Sequence, residues 1–203
     1  MTASARSGAS VDDRRGARAR ILETAYELFC RHGIRSVGID RIIAESGVAK
    51  MSLYRHFASK ADLVLAFLDL REERWTRDWL EVEIERLATT PQGRLLAIFD
   101  AFDEWFHHDD FESCAFMRTL LEFNDSTDPI HQAAVHRLEV IRRMIEAHAE
   151  QAGAQDPENT AYQLQGLLMG AIVSATRGDL AAARRARAVA QLVLDDATSS
   201  AAG

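Results

Sequence analysis

The chain of 203 residues is 47% hydrophobic and is interrupted by only three prolines and eleven glycines, which gives ample apolar material for one large or two small helical cores; an all-α fold is expected. Its longest apolar run, Leu167 to Val173, is far short of the ~20 residues that cross a bilayer, and no apolar signal core opens the chain, so a membrane span is excluded and a cytoplasmic location is expected. The net charge of −7 divides unevenly, with eleven Lys/Arg against six Asp/Glu in residues 1–60 and thirteen against twenty-five in residues 61–203, so a basic head suited to phosphate precedes an acidic body that DNA repels.

Residues 1–12 are rich in Ser, Ala and Gly without a period and read as a disordered tail. Arg14, Arg15, Arg18 and Arg20 follow, either as an arm toward phosphate or the minor groove or as a solvated helix start capped by Asp12 or Asp13. Ile21, Leu22, Ala25, Leu28 and Phe29 then repeat at helical spacing as far as His32, and Gly33 ends that helix. A second helix spans about Ile39 to Ser46. Gly47 follows it where a tight interhelical turn needs a positive φ. Beyond the turn, Val48, Leu53 and Phe57 share one buried stripe and leave Lys50, Ser52, Tyr54, Arg55 and His56 around the rest of a short helix, a set of phosphate and base-edge donors. Ser59 reads as the N-cap of the next helix, with Lys60 beside its exposed amides.

That next helix keeps its apolar period through Leu63, Phe67, Leu70, Trp75 and Trp79 to Leu87 and has no break before Thr89-Thr90-Pro91. Pro91 opens a helix with a broad apolar surface ending at Phe106. His107-His108-Asp109-Asp110 invites a metal reading, but adjacent residues point in different directions at a helix end, so a solvated loop is expected, with no metal and no cofactor. Cys30 and Cys114 have no metal-like spacing and read as free thiols. Helices follow at Ser113–Phe123, at Pro129 to about Ala152, from Pro157, and after Arg177-Gly178-Asp179 to about Asp195, making about nine in all. No nucleophile elbow, phosphate-cradling glycine loop or HExxH is present, so an enzyme is not expected.

The block from Gly47 to Lys60 closely resembles the TetR family of bacterial repressors, whose signature runs Gly-Val-x-x-x-Ser/Thr-Leu-Tyr-x-His-Phe-x-x-Lys. The likeness extends upstream through Arg20-Ile21-Leu22-Glu23-Thr24-Ala25, Leu28-Phe29, Gly33, Ile42 and Ala44-Glu45, and covers roughly residues 17–65. Two positions depart from the pattern: Val37-Gly38 stands where the family usually has threonine, and Ile43 where a small residue is common. The lost hydroxyl at Gly38 is expected to be replaced by backbone amides or Ser36.

The resemblance implies a helix-turn-helix domain over 13–58, an effector-binding and dimerisation domain over 59–197, and a frayed tail at 198–203. It implies a transcriptional regulator that binds a palindromic double-stranded DNA operator as a homodimer and releases it on binding a small apolar or aromatic effector. A ligand-independent architectural DNA binder is the alternative. The DNA surface is expected at Ser36, Gly38, Arg41, Lys50, Met51, Ser52, Tyr54, Arg55, His56 and Lys60, with Tyr54, His56 and Lys60 on phosphates and Lys50, Met51, Ser52 and Arg55 at base edges. Crowded aromatics in the middle third place the effector pocket at Trp75, Trp79, Phe99, Phe102, Asp103, Phe106, Phe116, Arg118, Leu120 and Phe123. The dimer interface is expected at Tyr162, Leu164, Gln165, Leu168, Met169, Ile172, Leu180, Val189 and Val193.

Overall fold

A computed structural model describes residues 11–199, with side chains from residue 16 onward. The tail before residue 11, the side chains of Asp12, Asp13, Arg14 and Arg15, and residues 200–203 lie outside the described residues. Among the described residues every regular element is helical: α1(Val11–His32), α2(Ile39–Ser46), α3(Lys50–His56), α4(Lys60–Arg71), a π-helical segment at Glu72–Glu81, α5(Val82–Leu87), α6(Pro91–Phe106), α7(Ala115–Glu122), α8(Pro129–Gln151), α9(Pro157–Thr176) and α10(Ala182–Thr198). Residues 60–87 form one uninterrupted helical run of two windings. Counted as one, that run brings the described helices to nine, as the sequence led one to expect. The α10 helix continues three residues beyond the expected end at Asp195. No described helix is long and apolar enough to cross a membrane.

The chain divides into two compact units between Phe67 and Leu68. In the first, α1 lies against α2 and α3 over a core of Ile21, Ala25, Leu28, Phe29, Ile42, Leu53 and Phe57. The unit extends past residue 58 because Leu63, Val64 and Phe67 from the start of α4 are buried in it. The Phe67 ring stands edge-on to Tyr26 and Phe29, with centroids 5.6 and 5.3 Å apart, a geometry that suits the aromatic quadrupole. Ser59 and Asp62 cap α4 reciprocally: the Ser59 hydroxyl accepts from the Asp62 amide at 3.1 Å and the Asp62 carboxylate from the Ser59 amide at 3.0 Å. Ile43, the residue expected to alter helix packing, is only half-buried.

The second unit is built around α6, whose Leu95, Ile98, Phe99, Phe102, Trp105 and Phe106 are all buried. Trp75, Trp79, Phe102, Trp105, Phe106 and Phe111 form a continuous edge-on and tilted cluster with neighbouring centroids 4.8–6.3 Å apart. The Thr90 hydroxyl caps α6 at the Gly93 amide, and Asp128 and Asp156 cap α8 and α9. Ion pairs Arg187–Asp100 at 2.7 Å and Arg184–Asp103 at 3.3 Å tie α10 to α6.

The π segment has a local signature of its own. Thr119, Thr160, Thr176 and Thr198 each donate a hydroxyl bond to the carbonyl four residues back, the usual refuge of a buried helical threonine. Thr76 is fully buried inside the π segment, yet its hydroxyl has no partner. Wider winding moves the i−4 carbonyl out of reach. The neighbouring Trp75, only 9% exposed, likewise has an indole N–H without an acceptor.

On α8, Arg142 is 6% exposed and lies between Glu139 and Glu146, bonding both carboxylates at 2.7–2.8 Å and covering the Tyr162 ring at 4.7 Å. Arg142 holds the Glu139 carboxyl down at about 2 against an ordinary 4.5. A depressed carboxyl stabilises the fold fully above its unfolded pKa and loses that contribution as pH falls through its folded one, so the window here runs from 4.5 down to about 2. Thermal unfolding followed across that window should show Glu139→Gln less stable than wild type at neutral pH, with the gap closing toward its lower edge.

Candidate nucleic-acid interface and interior cavity

The reading head is assembled by two local devices. Gly47 closes α2 at φ 66°, donating its amide to the Ile43 carbonyl at 3.2 Å, a left-handed conformation that any Cβ would strain. The Ala49 carbonyl then accepts from the Ser52 and Leu53 amides at 2.8 and 3.2 Å and starts α3 at once. With Val48, Leu53 and Phe57 buried, the geometry leaves Lys50, Met51, Tyr54 and Arg55 exposed and Ser52 and His56 half-exposed. Met51 is 67% exposed and Tyr54 42%, which is unusual for side chains of that apolar bulk and leaves them free to meet a partner.

The other expected DNA residues are tied more closely than their positions in the sequence suggested. The Ser36 hydroxyl donates to carbonyls of His32 and Gly33, so as placed it offers phosphate no donor. Gly38 is the extended N-cap of α2 and supplies no side-chain bond, which leaves the first α2 amides as the donors at that end. Arg41 bonds Glu45 at 2.7 Å and lies 3.1 Å from the His32 ring, while the Lys50 ammonium is 3.4 Å from Asp40. Both pairs are exposed and therefore weak, so phosphate can displace them. Lys60 donates to the Ile34 carbonyl at 2.6 Å, tying the start of α4 to the α1–α2 turn. That is a structural role the sequence did not reveal. Arg18, of the expected basic arm, lies over the Phe57 ring at 5.1 Å instead.

In the second unit an apolar cavity encloses about 290 Å³ of empty space including its mouth. Its wall is Trp75 of the π segment, Phe102 of α6, Cys114 and Met117 at α7, Leu138 and Ile141 of α8, and Gln165, Leu168, Met169 and Ile172 of α9. Of the expected effector residues, only Trp75 and Phe102 belong to this wall. Trp79 stacks on Trp75 at 5.2 Å, and Phe99, Phe106 and Phe116 are buried core. Asp103 pairs with Arg184, Arg118 donates to the Glu112 carbonyl at 3.3 Å, and Leu120 and Phe123 are half-buried outside the wall. Met117, Leu138 and Ile141 complete the wall with apolar side chains that no aromatic crowding marks in the sequence.

The expected dimer residues divide into two groups. Leu164, Gln165, Leu168 and Ile172 are buried within their own unit, and the Gln165 amide donates to the Leu138 carbonyl at 2.7 Å, so they are corrected from partner surface to cavity wall or core. The reason is that α9 carries two apolar stripes, and α8 covers one of them. Tyr162, Leu180 and Val189 are exposed, and Met169 and Val193 half-exposed. At His107 the ring Nδ1 bonds the Asp103 carbonyl at 2.7 Å, and among the described residues no group of three or more His, Cys, Asp or Glu is arranged to hold a metal.

Two helices joined through a left-handed glycine, the second presenting cations and hydroxyls above a buried stripe, define a helix-turn-helix DNA-binding head, here joined to a separate helical unit. Comparison with known proteins agrees with that class. Residues 21–67 match the family model for bacterial regulatory proteins of the tetR family, and residues 91–190 match the tetracyclin repressor-like C-terminal domain. The solved structure of SCO4454, a TetR-family transcriptional regulator from Streptomyces coelicolor, is 30% identical, covers 91% of each chain and superposes with a TM-score of 0.83. Reduced NemR from E. coli, at 18% identity and TM-score 0.78 over 92% of this chain and 99% of its own, shares the fold.

The chain belongs to the TetR family of transcriptional regulators. Among curated proteins, the HTH-type transcriptional activator FasR of Mycolicibacterium smegmatis is 36% identical over 100 residues, which is 48% of this chain and 42% of that protein. The HTH-type transcriptional regulator QacR of Staphylococcus aureus is 33% identical over 66 residues, 32% of this chain and 35% of that protein. The chain thus spans less than half the length of these curated relatives. The relatives are regulatory proteins and not enzymes.

Fluorescence-anisotropy titrations should separate the tied residues from the free ones. Arg55→Ala should lose about 1–3 kcal/mol on the cognate site and relax discrimination, whereas Ser36→Ala, whose hydroxyl already serves the backbone, should bind within about twofold of wild type.

Proposed function

We propose that the chain acts as a homodimer that represses transcription by holding a palindromic operator with two α3 helices, and lets go when a small apolar molecule enters the cavity of the second unit. The observation that carries the reading is the donor face of α3, where Lys50, Ser52, Tyr54, Arg55 and His56 stand clear of a fully used buried stripe. Tyr54, His56 and the α2 amides bond phosphates and fix the register; Lys50, Met51, Ser52 and Arg55 meet base edges, with Met51 suited to a thymine methyl.

Support for a second copy comes from α9 and α10. Tyr162, Gly166, Gly170 and Val173 form one exposed stripe on α9, and Val189 and Leu192 form another on α10, where Leu192 is 68% exposed. Mid-helix glycine is unfavourable by about 1 kcal/mol relative to alanine, and a Cβ added at Gly166 or Gly170 would meet nothing within 4 Å, so neither glycine is explained by its own chain. Close approach of a partner helix explains both. A two-fold pair of heads then reads half-sites about 34–36 Å apart. Release needs only a tenfold to hundredfold difference in operator affinity, about 1.4–2.8 kcal/mol.

Gly170→Leu tests the pairing because Gly170 is exposed and a Cβ there meets nothing within 4 Å in its own chain. Sedimentation should show a wild-type dimer at micromolar concentration and a variant at least tenfold weaker in self-association, with unfolding temperature unchanged or raised and operator affinity lost in step. A wild-type monomer, or a variant that pairs normally, would sink the dimer reading.

A further inference from the structure

Resting on the effector reading above, we infer that the cavity takes an uncharged apolar molecule carrying one hydrogen-bond acceptor, and that the Trp75 indole N–H is the group that receives it. No residue of the wall carries a charge: the side chains are Trp75, Phe102, Cys114, two methionines, aliphatics and Gln165. Burial pushes the Cys114 thiol upward, which keeps it neutral and a poor nucleophile. The polar groups on the neighbouring helices are engaged or placed elsewhere. Asp103 pairs with Arg184, the His107 ring bonds the Asp103 carbonyl, Arg118 bonds a backbone carbonyl, and His136 is exposed. A carboxylate or ammonium entering this cavity would lose its hydration and meet no charged side chain in the wall itself, the buried Arg71 guanidinium standing behind it over the Trp75 ring at 5.9 Å, so ionised molecules are disfavoured.

One residue of the wall, Trp75, carries an unused donor. Trp75 is buried in the aromatic cluster with its N–H unbonded by any protein acceptor, and buried indoles normally find a partner. The Gln165 amide spends one of its two N–H donors on the Leu138 carbonyl. A ketone, ester, ether or amide oxygen would satisfy the indole, and its apolar remainder would rest on Phe102, Ile141, Leu168 and Ile172. The present interior has room for about one water, so a larger guest must move the wall. Met117 and Met169 are the side chains able to yield, being unbranched and readily repacked.

The test uses three probes of one size: acetophenone, ethylbenzene and benzoate, titrated onto the full chain with dissociation constants from ligand-observed NMR. Acetophenone and ethylbenzene should bind and benzoate should be at least tenfold weaker than acetophenone. In Trp75→Phe the ratio of acetophenone to ethylbenzene affinity should fall about tenfold, the worth of one bond to a buried donor. A second readout needs no variant: in a ¹⁵N-tryptophan spectrum of wild type, one indole N–H should move downfield with acetophenone and stay in place with ethylbenzene. Benzoate binding as tightly as acetophenone, an unchanged ratio in Trp75→Phe, a silent indole spectrum, or no binding of any probe overturns the inference. Operator titration in the presence of saturating acetophenone is a separate arm. If the probe pattern holds and operator affinity does not move, the release reading falls and the ligand assignment stands.

Discussion

A helix of seven residues does not hold together in water by itself, so the reading head depends on the burial of Val48, Leu53 and Phe57 beneath it. That one stripe decides what α3 presents to DNA. Once it is taken by the core of α1 and α2, every remaining position is committed to the outside and the polar residues have nowhere else to go. Gly47 makes the arrangement possible by turning the chain tightly, and Lys60 secures the far end through the Ile34 carbonyl.

Much of this was legible in the sequence because it is local. Gly33 and Gly47 do lie at positive φ, Pro91, Pro129 and Pro157 do open helices, and the stripe beneath α3 follows from spacing alone. The TetR likeness of the Gly47–Lys60 block reached the right family, and the matches at residues 21–67 and 91–190 extend it over both units. What spacing cannot tell is which neighbour takes which face. The α9 helix has two apolar stripes, so Leu164, Leu168 and Ile172 were read as partner surface when α8 of the same chain covers them. Aromatic crowding pointed to the correct region for a cavity, but most of those rings serve each other as core. The ends of the two units were equally hidden: nothing in the run from Lys60 to Leu87 marks Phe67 as the last residue of the first.

Charge shows a similar gap between composition and placement. The basic balance of residues 1–60 is real, yet Arg41, Lys50 and Lys60 are each engaged within the head, by Glu45, Asp40 and a carbonyl respectively. Weak exposed pairs of this kind keep long side chains extended along the surface without fixing them, so they set a modest electrostatic threshold for any anion that approaches. In the second unit the charged groups work differently. Arg184, Arg187 and Arg142 close on carboxylates of neighbouring turns and helices, leaving the cavity wall free of charge.

The π segment is a stretch of helix wound more widely than the α-helices on either side of it. The same ten residues wound as α would have fewer residues per turn and a greater length. The π form leaves the Thr76 hydroxyl and the Trp75 indole without partners, whereas Thr119, Thr160, Thr176 and Thr198 on the α-helices each use the carbonyl four residues back. A guest that answers Trp75 removes half of that deficit without touching the other half. A guest of that kind would bear on the local pitch of a helix within the second unit.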